Sequence, residues 1–377
     1  MNKPLYEKIY IQLKQDIVKG KFKVGDKIPS EKELSEQWSV SRITPKKSLD
    51  ILADEGIIER NPGRGSFVVE HNQLRNNGRN IKVSNNTQLI GLIIPNLEDN
   101  YGIDLVNNIE SEAGKSNCFI ILKRSLGDAQ KEKEIIQELL EIGVSAFIIL
   151  PSHAEHFNQE ILKLVYDDFP IVLIDRYLRG VPAVSVCSDN RKAAKEATEY
   201  LFGLGHENIC LLSRLPDDTS ALEERNDGFI DAYVDNNIKI EKHQFMNDIS
   251  STWAGLYGEE TIQEDTSKIR QRLKTSPDIT AFLAVEYRIA LLAESAVKEM
   301  GLSIPEDISI VCFDSTKEST ERRKFTFVQQ NEKEMGKQAV ESVLKMINGE
   351  KIEDQTIRLE TAIVEGTSTN GRLKYNR

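Results

Sequence analysis

Three groups of residues could support chemistry: scattered cysteines, one close pair of histidines and a run of basic side chains near the start. Cys118, Cys187, Cys210 and Cys312 stand far apart, without the short spacing that thiolate zinc ligands or redox dithiols use. They are expected to be reduced residues in a core. His153 and His156 are close neighbours, but no third ligand accompanies them at metal spacing, so a polar loop without metal is expected. Gly114-Lys115-Ser116 resembles the end of a phosphate loop, yet Ile109 stands where that loop requires glycine, and the stretch reads as helix. Neither GxSxG nor HExxH occurs. The expectation is a chain that is not an enzyme and carries no cofactor. The basic group is different in kind. Arg42, Thr44, Lys46 and Lys47 fall on the outer side of one short helical pattern, and Arg64 tips a nearby turn. Such side chains suit phosphates and base edges.

The charge distribution agrees. The chain has 377 residues and a net charge of −11, which argues against nucleic-acid binding over its whole surface. Residues 1–83, however, hold 16 Lys and Arg against 11 Asp and Glu, whereas the remainder holds 33 against 49. A small basic head precedes a large acidic body, and DNA affinity depends on local cations rather than on the mean. No apolar run reaches the ~18 residues of a membrane span. The opening MNKPLYEKIY lacks the apolar core of a signal peptide, so a cytoplasmic protein with no membrane partner is expected.

The elements that must position these residues follow from periodicity. Leu5, Ile9, Leu13 and Ile17 recur four apart, one face of a first helix. Ser30 with Glu33 forms a capping box opening a second helix through Trp38. Ser41 opens a third, with Ile43, Leu49, Leu52 and Ala53 expected inward and Pro45 tolerated in the first turn. After Gly56, IIERNPGRGSFVV reads as strand, turn and strand, a wing tipped by Arg64. Residues 71–88 hold six Asn and few large apolar residues, and are expected to be a linker. Beyond it, apolar runs such as LIGLII, AFIIL, IVLI, ICLL, AFLAV and ISIVCF alternate with amphipathic segments. That pattern specifies parallel sheets covered by helices. The body is too long for one such sheet, and the alternation restarts near Val184, so two lobes are expected over residues 89–370, with a tail at 371–377. Ligands of such sheets bind where strands end, which places Asp99 to Tyr101 well.

Through IPSEKEL, VSRITPKKSLDIL, EGII and GRGSFV, the head resembles the GntR family of winged helix-turn-helix regulators over about the first 70 residues. The resemblance implies that Lys32, Ser41, Arg42, Thr44, Lys46 and Lys47 contact phosphates and base edges, with Arg64 and Gly65 meeting the minor groove. The family often carries Arg at the Lys32 and Lys46 positions. Lysine lacks the fork that holds guanine bidentately, which shifts contacts toward phosphate positioning.

Through SDN, LGH, GF, IPEDISIVCFD and EMGKQA, the body resembles the periplasmic-binding-protein-like effector domain of LacI/GalR repressors over almost all of residues 88–370. A GntR-type head on a LacI-type body is similar to the arabinose-repressor branch. That similarity implies a homodimer joined through its bodies, a pseudo-palindromic double-stranded DNA operator, and a small sugar bound between the lobes that releases the repressor from carbohydrate-utilisation genes. Carried over by position, the effector-binding residues would be Tyr101, Asp189, Arg225, Trp253 and Asp314, with Arg124 and Arg176 as additions. Trp253 would stack on the sugar ring and Arg225 would bind vicinal hydroxyls. Each also has a structural reading: an Asp after a strand often caps a helix, and a Trp often fills a core. Glu286-Tyr287 departs from the family's Asn-Asp, and an ionised carboxylate only accepts hydrogen bonds, so the recognised hydroxyl pattern changes. Alternatives of other classes are a body taking a non-sugar or phosphorylated ligand, an aminotransferase-like enzyme body, an exported sugar carrier and a histidine metal site. The sequence has no Schiff-base or phosphate-loop context for the second, and the basic head and scarce histidines count against the last two.

Overall fold

The computed structural model describes residues 4–18, 20–54, 56–61, 64–69, 87–97, 100–152, 158–214, 219–252, 258–316, 324–353 and 355–372. The chain divides into two compact units, residues 1–84 and 85–377. Most of the expected linker, His153, His156 and Trp253 lie outside the described residues.

The first unit runs α1 (Leu5–Val18), β1 (Lys27–Ile28), α2 (Glu31–Trp38), α3 (Ile43–Asp54), β2 (Ile58–Asn61) and β3 (Gly65–Val68). β3 pairs antiparallel with both β1 and β2, and Asn61 opposite Gly65 closes the wing. Ile9, Leu13, Ile28, Leu34, Leu49, Leu52, Ile58 and Val68 form its core. Ile9 and Leu13 carry the predicted face of α1, whereas Leu5 is 50% exposed. The Ser30 capping box is present: Ser30 Oγ accepts from the Glu33 amide, and the Ser30 amide donates to Glu33 Oε2. Arg60 in β2 pairs with Glu31 of α2 and Asp50 of α3, fixing the wing to both helices.

One expectation fails here. Ile43 is 78% exposed rather than inward. The buried side of α3 is set by Pro45, Ser48, Leu49 and Leu52, and at 100° per residue Ile43 lies opposite them.

The second unit contains two six-stranded sheets. The first lobe is built on β4 (Gln88–Ile94), β5 (Cys118–Arg124), β6 (Ala146–Ile149), β7 (Ile171–Ile174), β8 (Val184–Ser188) and β14 (Thr356–Leu359), in the order β14-β8-β7-β6-β4-β5 and all parallel. The second is built on β9 (Ile209–Leu212), β10 (Phe245–Met246), β11 (Ala281–Ala284), β12 (Ser309–Phe313), β13 (Thr326–Gln329) and β15 (Ala362–Val364), in the order β10-β9-β11-β12-β13-β15, with β15 antiparallel. α4 (Ile103–Lys115), α5 (Ala129–Ile142) and α6 (Gln159–Tyr166) belong to the first lobe. α7 (Asn190–Gly203), α8 (Ser220–Asp235), α9 (Glu259–Thr275) and α10 (Tyr287–Glu299) belong to the second. α11 (Glu332–Ile347) returns to the first, burying Met335, Ala339, Val340 and Val343. Continuous apolar strands such as IVLI, AFLA and SIVCF are buried along their whole length, as sheets covered on both faces require.

The boundary between lobes differs from the expected restart at Val184. β8 still belongs to the first sheet, and the second lobe begins with α7. Among the described residues the chain passes between sheets after β8, after β13 and again after β14. Periodicity marks strands but not sheet membership, so this interleaving leaves no local signal. The cysteines are buried and free, and Gly114-Lys115-Ser116 ends α4 as the helical pattern predicted.

Candidate nucleic-acid interface and ligand cleft

In the first unit, the turn between α2 and α3 passes through Ser39 in a left-handed conformation. The Thr44 amide donates to the Ser41 carbonyl, and the Lys46 amide to Arg42, so Ser41 and Arg42 lead directly into α3. Lys32, Ser41, Arg42, Lys46 and Lys47 are exposed and Thr44 partly so. None of these side chains is used by the core. Lys47 Nζ lies 3.9 Å from the Tyr6 ring centroid, a cation–π contact that steadies it against α1. Arg64 is exposed at the wing tip, and Gly65 beside it has φ +117°, a left-handed value that favours glycine. A short helix with exposed cations, followed by a basic wing, is the shape that places a helix N-terminus against base edges.

In the second unit, polar side chains gather where strands end and where the chain passes between sheets. Tyr101 follows β4, and its hydroxyl donates to Asp175 Oδ1 at 2.7 Å. Asp175 follows β7 and is also bonded by Arg176 Nε at 3.2 Å. Burial, then the carboxylates of Asp175, Asp314 and Glu332, push the Tyr101 phenol well above its ordinary value. Glu332, opening α11, accepts from the amides of Gly102 and Leu105 at 3.0 and 2.9 Å, capping α4 from another element.

From the second lobe, Arg225 on α8 is 5% exposed. Its Nε donates to Asn190 Oδ1 at 2.8 Å, Nη1 donates to the Val285 carbonyl at 2.6 Å, and its guanidinium lies 3.8 Å from the Phe313 ring centroid. Asp314 follows β12, and Gln330 Nε2 donates to its two oxygens at 3.1 and 3.0 Å. Burial pushes the Asp314 carboxyl up to about 7; Arg225 and Gln330 oppose the rise, while Glu332 and Asp175 add to it. Gln330 Oε1 in turn accepts from Ser188 Oγ at 2.8 Å, so two of the passages between lobes are bonded to each other. Ser213 Oγ, Asn226 Oδ1, Asn247 Oδ1 and Thr252 Oγ1 are buried without hydrogen-bond partners among the described residues. Three of these follow β9 or β10. Buried polar atoms left unmatched are the exception in folded proteins.

The structure thus brings Tyr101, Arg176, Arg225 and Asp314 into one electrostatic cluster. Asp189 takes the structural alternative: its carboxylate accepts from the Lys192 amide and caps α7, while Asn190 beside it holds Arg225. Arg124 is exposed at the end of edge strand β5, bonded to Asn96. Glu286 pairs with Arg214 at 3.1 Å. Sequence reasoning missed Asp175, Asn190, Arg214, Gln330 and Glu332. Asp175 carried the same signal that selected Asp314, a carboxylate ending a buried strand.

Comparison with known proteins fits both units. Residues 5–68 match the gntR family of bacterial regulatory proteins, and residues 198–369 match the periplasmic binding protein-like domain. The head belongs to the gntR family, and the body is periplasmic-binding-protein-like. The chain is 28% identical over 371 residues to an arabinose metabolism transcriptional repressor of Geobacillus stearothermophilus, covering 95% of this chain and 97% of that protein. It is 25% identical to the protein of the same description in Halalkalibacterium halodurans, covering 97% and 96%. The body has the fold of the transcription regulator CcpA of Lactococcus lactis, with TM-score 0.65, 21% identity and coverage of 75% and 100%. A LacI family regulator of Enterococcus faecium, crystallised with bound ribose, gives TM-score 0.62 at 23% identity over 76% and 100%. This gntR-headed chain is a DNA-binding transcriptional regulator. Among the described residues no helix is long and apolar enough to cross a membrane, and no cluster of three or more His, Cys, Asp or Glu side chains could hold a metal.

Proposed function

We propose that this regulator is a repressor of carbohydrate-utilisation genes, released from a pseudo-palindromic operator by a small sugar bound between the lobes. The observation that carries the reading is the polar cluster of Tyr101, Asp175, Asn190, Arg225, Asp314 and Gln330. It joins residues of both lobes to the passages on which the lobes would pivot. Sugar hydroxyls need such donors and acceptors, since each one buried unpaired costs ~1–3 kcal/mol. A ligand held from both sides favours the closed body, and a near-complete switch needs ~10⁴-fold preference for that state. The relatives described as arabinose metabolism repressors favour a pentose. The Arg214–Glu286 pair is a reason to test other sugars on the same footing.

The working unit in this reading is a homodimer, whose two heads read the two half-sites with Lys32, Ser41, Arg42, Thr44, Lys46 and Lys47, and with Arg64 and Gly65 on the wing. Phe119, 59% exposed on edge strand β5, offers apolar surface for a second copy to cover. Closure then changes the spacing of the heads.

A thermal-shift panel of monosaccharides and their phosphates tests the ligand class, because a ligand selective for the native state raises stability by RT ln(1 + [L]/Kd). One sugar that stabilises the protein and weakens its hold on the selected operator supports the reading. A hit that tightens operator binding makes the ligand a corepressor, and a flat panel overturns the sugar assignment.

A further inference from the structure

We infer that Ile43 is a base-reading residue that packs against the 5-methyl group of a thymine in the major groove of each operator half-site. The inference rests on the head's DNA-binding role and adds a residue that the chemistry of charge did not single out.

Ile43 is the first residue of α3 and is 78% exposed. It lies opposite the side that packs through Pro45, Ser48, Leu49 and Leu52, so the core does not use it. On the helix surface it neighbours Lys46 and Lys47, both exposed, and Arg42 directly precedes it. An apolar side chain therefore stands among cations at the helix end that meets base edges. Cations suit phosphates as well as base edges, and contacts to phosphates position the protein without distinguishing sequences.

An isoleucine makes no hydrogen bonds, so its preference among bases comes from which edge tolerates an apolar neighbour. The thymine methyl is the apolar feature of the major groove. Cytosine lacks that methyl, and against a purine edge the side chain would remove water from N7 and the adjoining polar group while offering nothing in return. Ile43 thus selects thymine at one step and disfavours the other three bases.

The test uses the full-length protein and the duplex it enriches from a randomised DNA pool. Each thymine of the enriched half-site is replaced singly by deoxyuridine, which deletes only the 5-methyl group. Affinities are then measured for the wild type, Ile43→Ala and Ile43→Val. At one thymine per half-site the wild type is expected to lose about fourfold on replacement, the worth of one buried methyl. Ile43→Ala should bind the unmodified duplex more weakly and be indifferent to deoxyuridine at that thymine alone, while Ile43→Val keeps the sensitivity. Ile43→Ala should unfold at the wild-type temperature, because the side chain has no part in the core. The inference is overturned if the alanine variant shows the same deoxyuridine profile as the wild type, or if the enriched half-site has no thymine that responds. Enrichment of no sequence at all would overturn operator binding and this inference together, whereas an unchanged profile leaves operator binding standing.

Discussion

Asp175 and Asp314 occupy corresponding places in the two lobes. Each directly follows the fourth strand of its lobe in chain order, β7 and β12, and each has left-handed backbone, with φ of 69° and 64°. Non-glycine residues hold that conformation at a cost of about 1–3 kcal/mol, and it persists where the surroundings impose it. Here it turns the chain sharply at two strand ends, and the two carboxylates face one electrostatic neighbourhood that includes the Tyr101 hydroxyl. The second lobe repeats the first in its acid, although the two segments, LIDRYL and CFDSTK, share little else.

The Asp314 carboxyl gives the ligand-free protein a defined pH response. Burial raises its pKa to about 7, above the 3.8 of a free aspartate. The native state therefore holds a proton that the unfolded chain has released, and stability falls as pH rises between those values. Asp314→Asn should flatten this slope, removing on the order of 4 kcal/mol of pH dependence in chemical denaturation. In the proposed sugar-binding role the dependence runs the other way, because the ionised carboxylate offers only acceptors to hydroxyl donors. Affinity for the sugar should drop as pH falls below 7 in the wild type only.

Arg225 ties α8 to the start of α7 and to the end of β11 in the second lobe. Replacing it with alanine leaves Asn190 Oδ1 and the Val285 carbonyl without their donors, and should cost about 2–4 kcal/mol. Arg225→Lys should restore part of that stability without restoring the response to sugar, since an ammonium cannot hold two acceptors in the same plane. Thermal unfolding with and without ligand separates the two effects.

A contact near the passages also links the lobes. Glu224 on α8, 7% exposed, accepts two bonds from Arg358 of β14, at 3.0 and 2.7 Å, and one from the Tyr177 hydroxyl at 3.0 Å. It is the residue before Arg225, so one turn of α8 carries both the Arg225 contacts and a link to the first lobe. Glu224→Gln should lower stability by about 1–3 kcal/mol and change the sugar concentration needed for operator release. Equal release curves for variant and wild type would count against a role in the switch.

Gly228 reports on helix packing. A Cβ there would lie 2.0 Å from the Arg191 carbonyl oxygen of α7, so Gly228→Ala must part α7 from α8. A loss of about 1–3 kcal/mol is expected, together with weakened sugar binding, because α7 carries Asn190 and α8 carries Arg225.

The head makes a prediction about salt. Lys46→Ala should weaken binding to all duplexes alike and reduce the slope of log affinity against log salt by about 1, which titration at several salt concentrations measures. A change confined to one base position would instead make Lys46 a base reader.

What the sequence disclosed and what it concealed differ by the range of the interactions. The Ser30 capping box, the core positions Ile9 and Leu13 of α1 and the wing at Arg64 depend on residues close in the chain and were legible, while Leu5 of the same face is exposed. Ile43 was misplaced because a β-branched apolar residue suggests burial, while helix phase, fixed by Ser48, Leu49 and Leu52, decides otherwise. In the polar cluster, Arg225 and Asp314 are positions that the resemblance singled out. Gln330, Glu332 and Asn190 act on partners up to 230 residues away, and such pairings appear only when sheet membership is known. Asp189 caps α7, a role its place after a strand made legible, whereas the bond to Arg225 comes from its neighbour Asn190.

The interleaving of the lobes also bears on how the body is made. The first sheet lacks its β14 edge strand, and one of its faces lacks α11, until residues 332–359 have been synthesised. By then almost all of the second lobe has left the ribosome. The lobe that starts first in the chain is therefore completed late, so its early strands wait with apolar surface uncovered, and an interruption of translation anywhere between β9 and α11 strands both lobes rather than one.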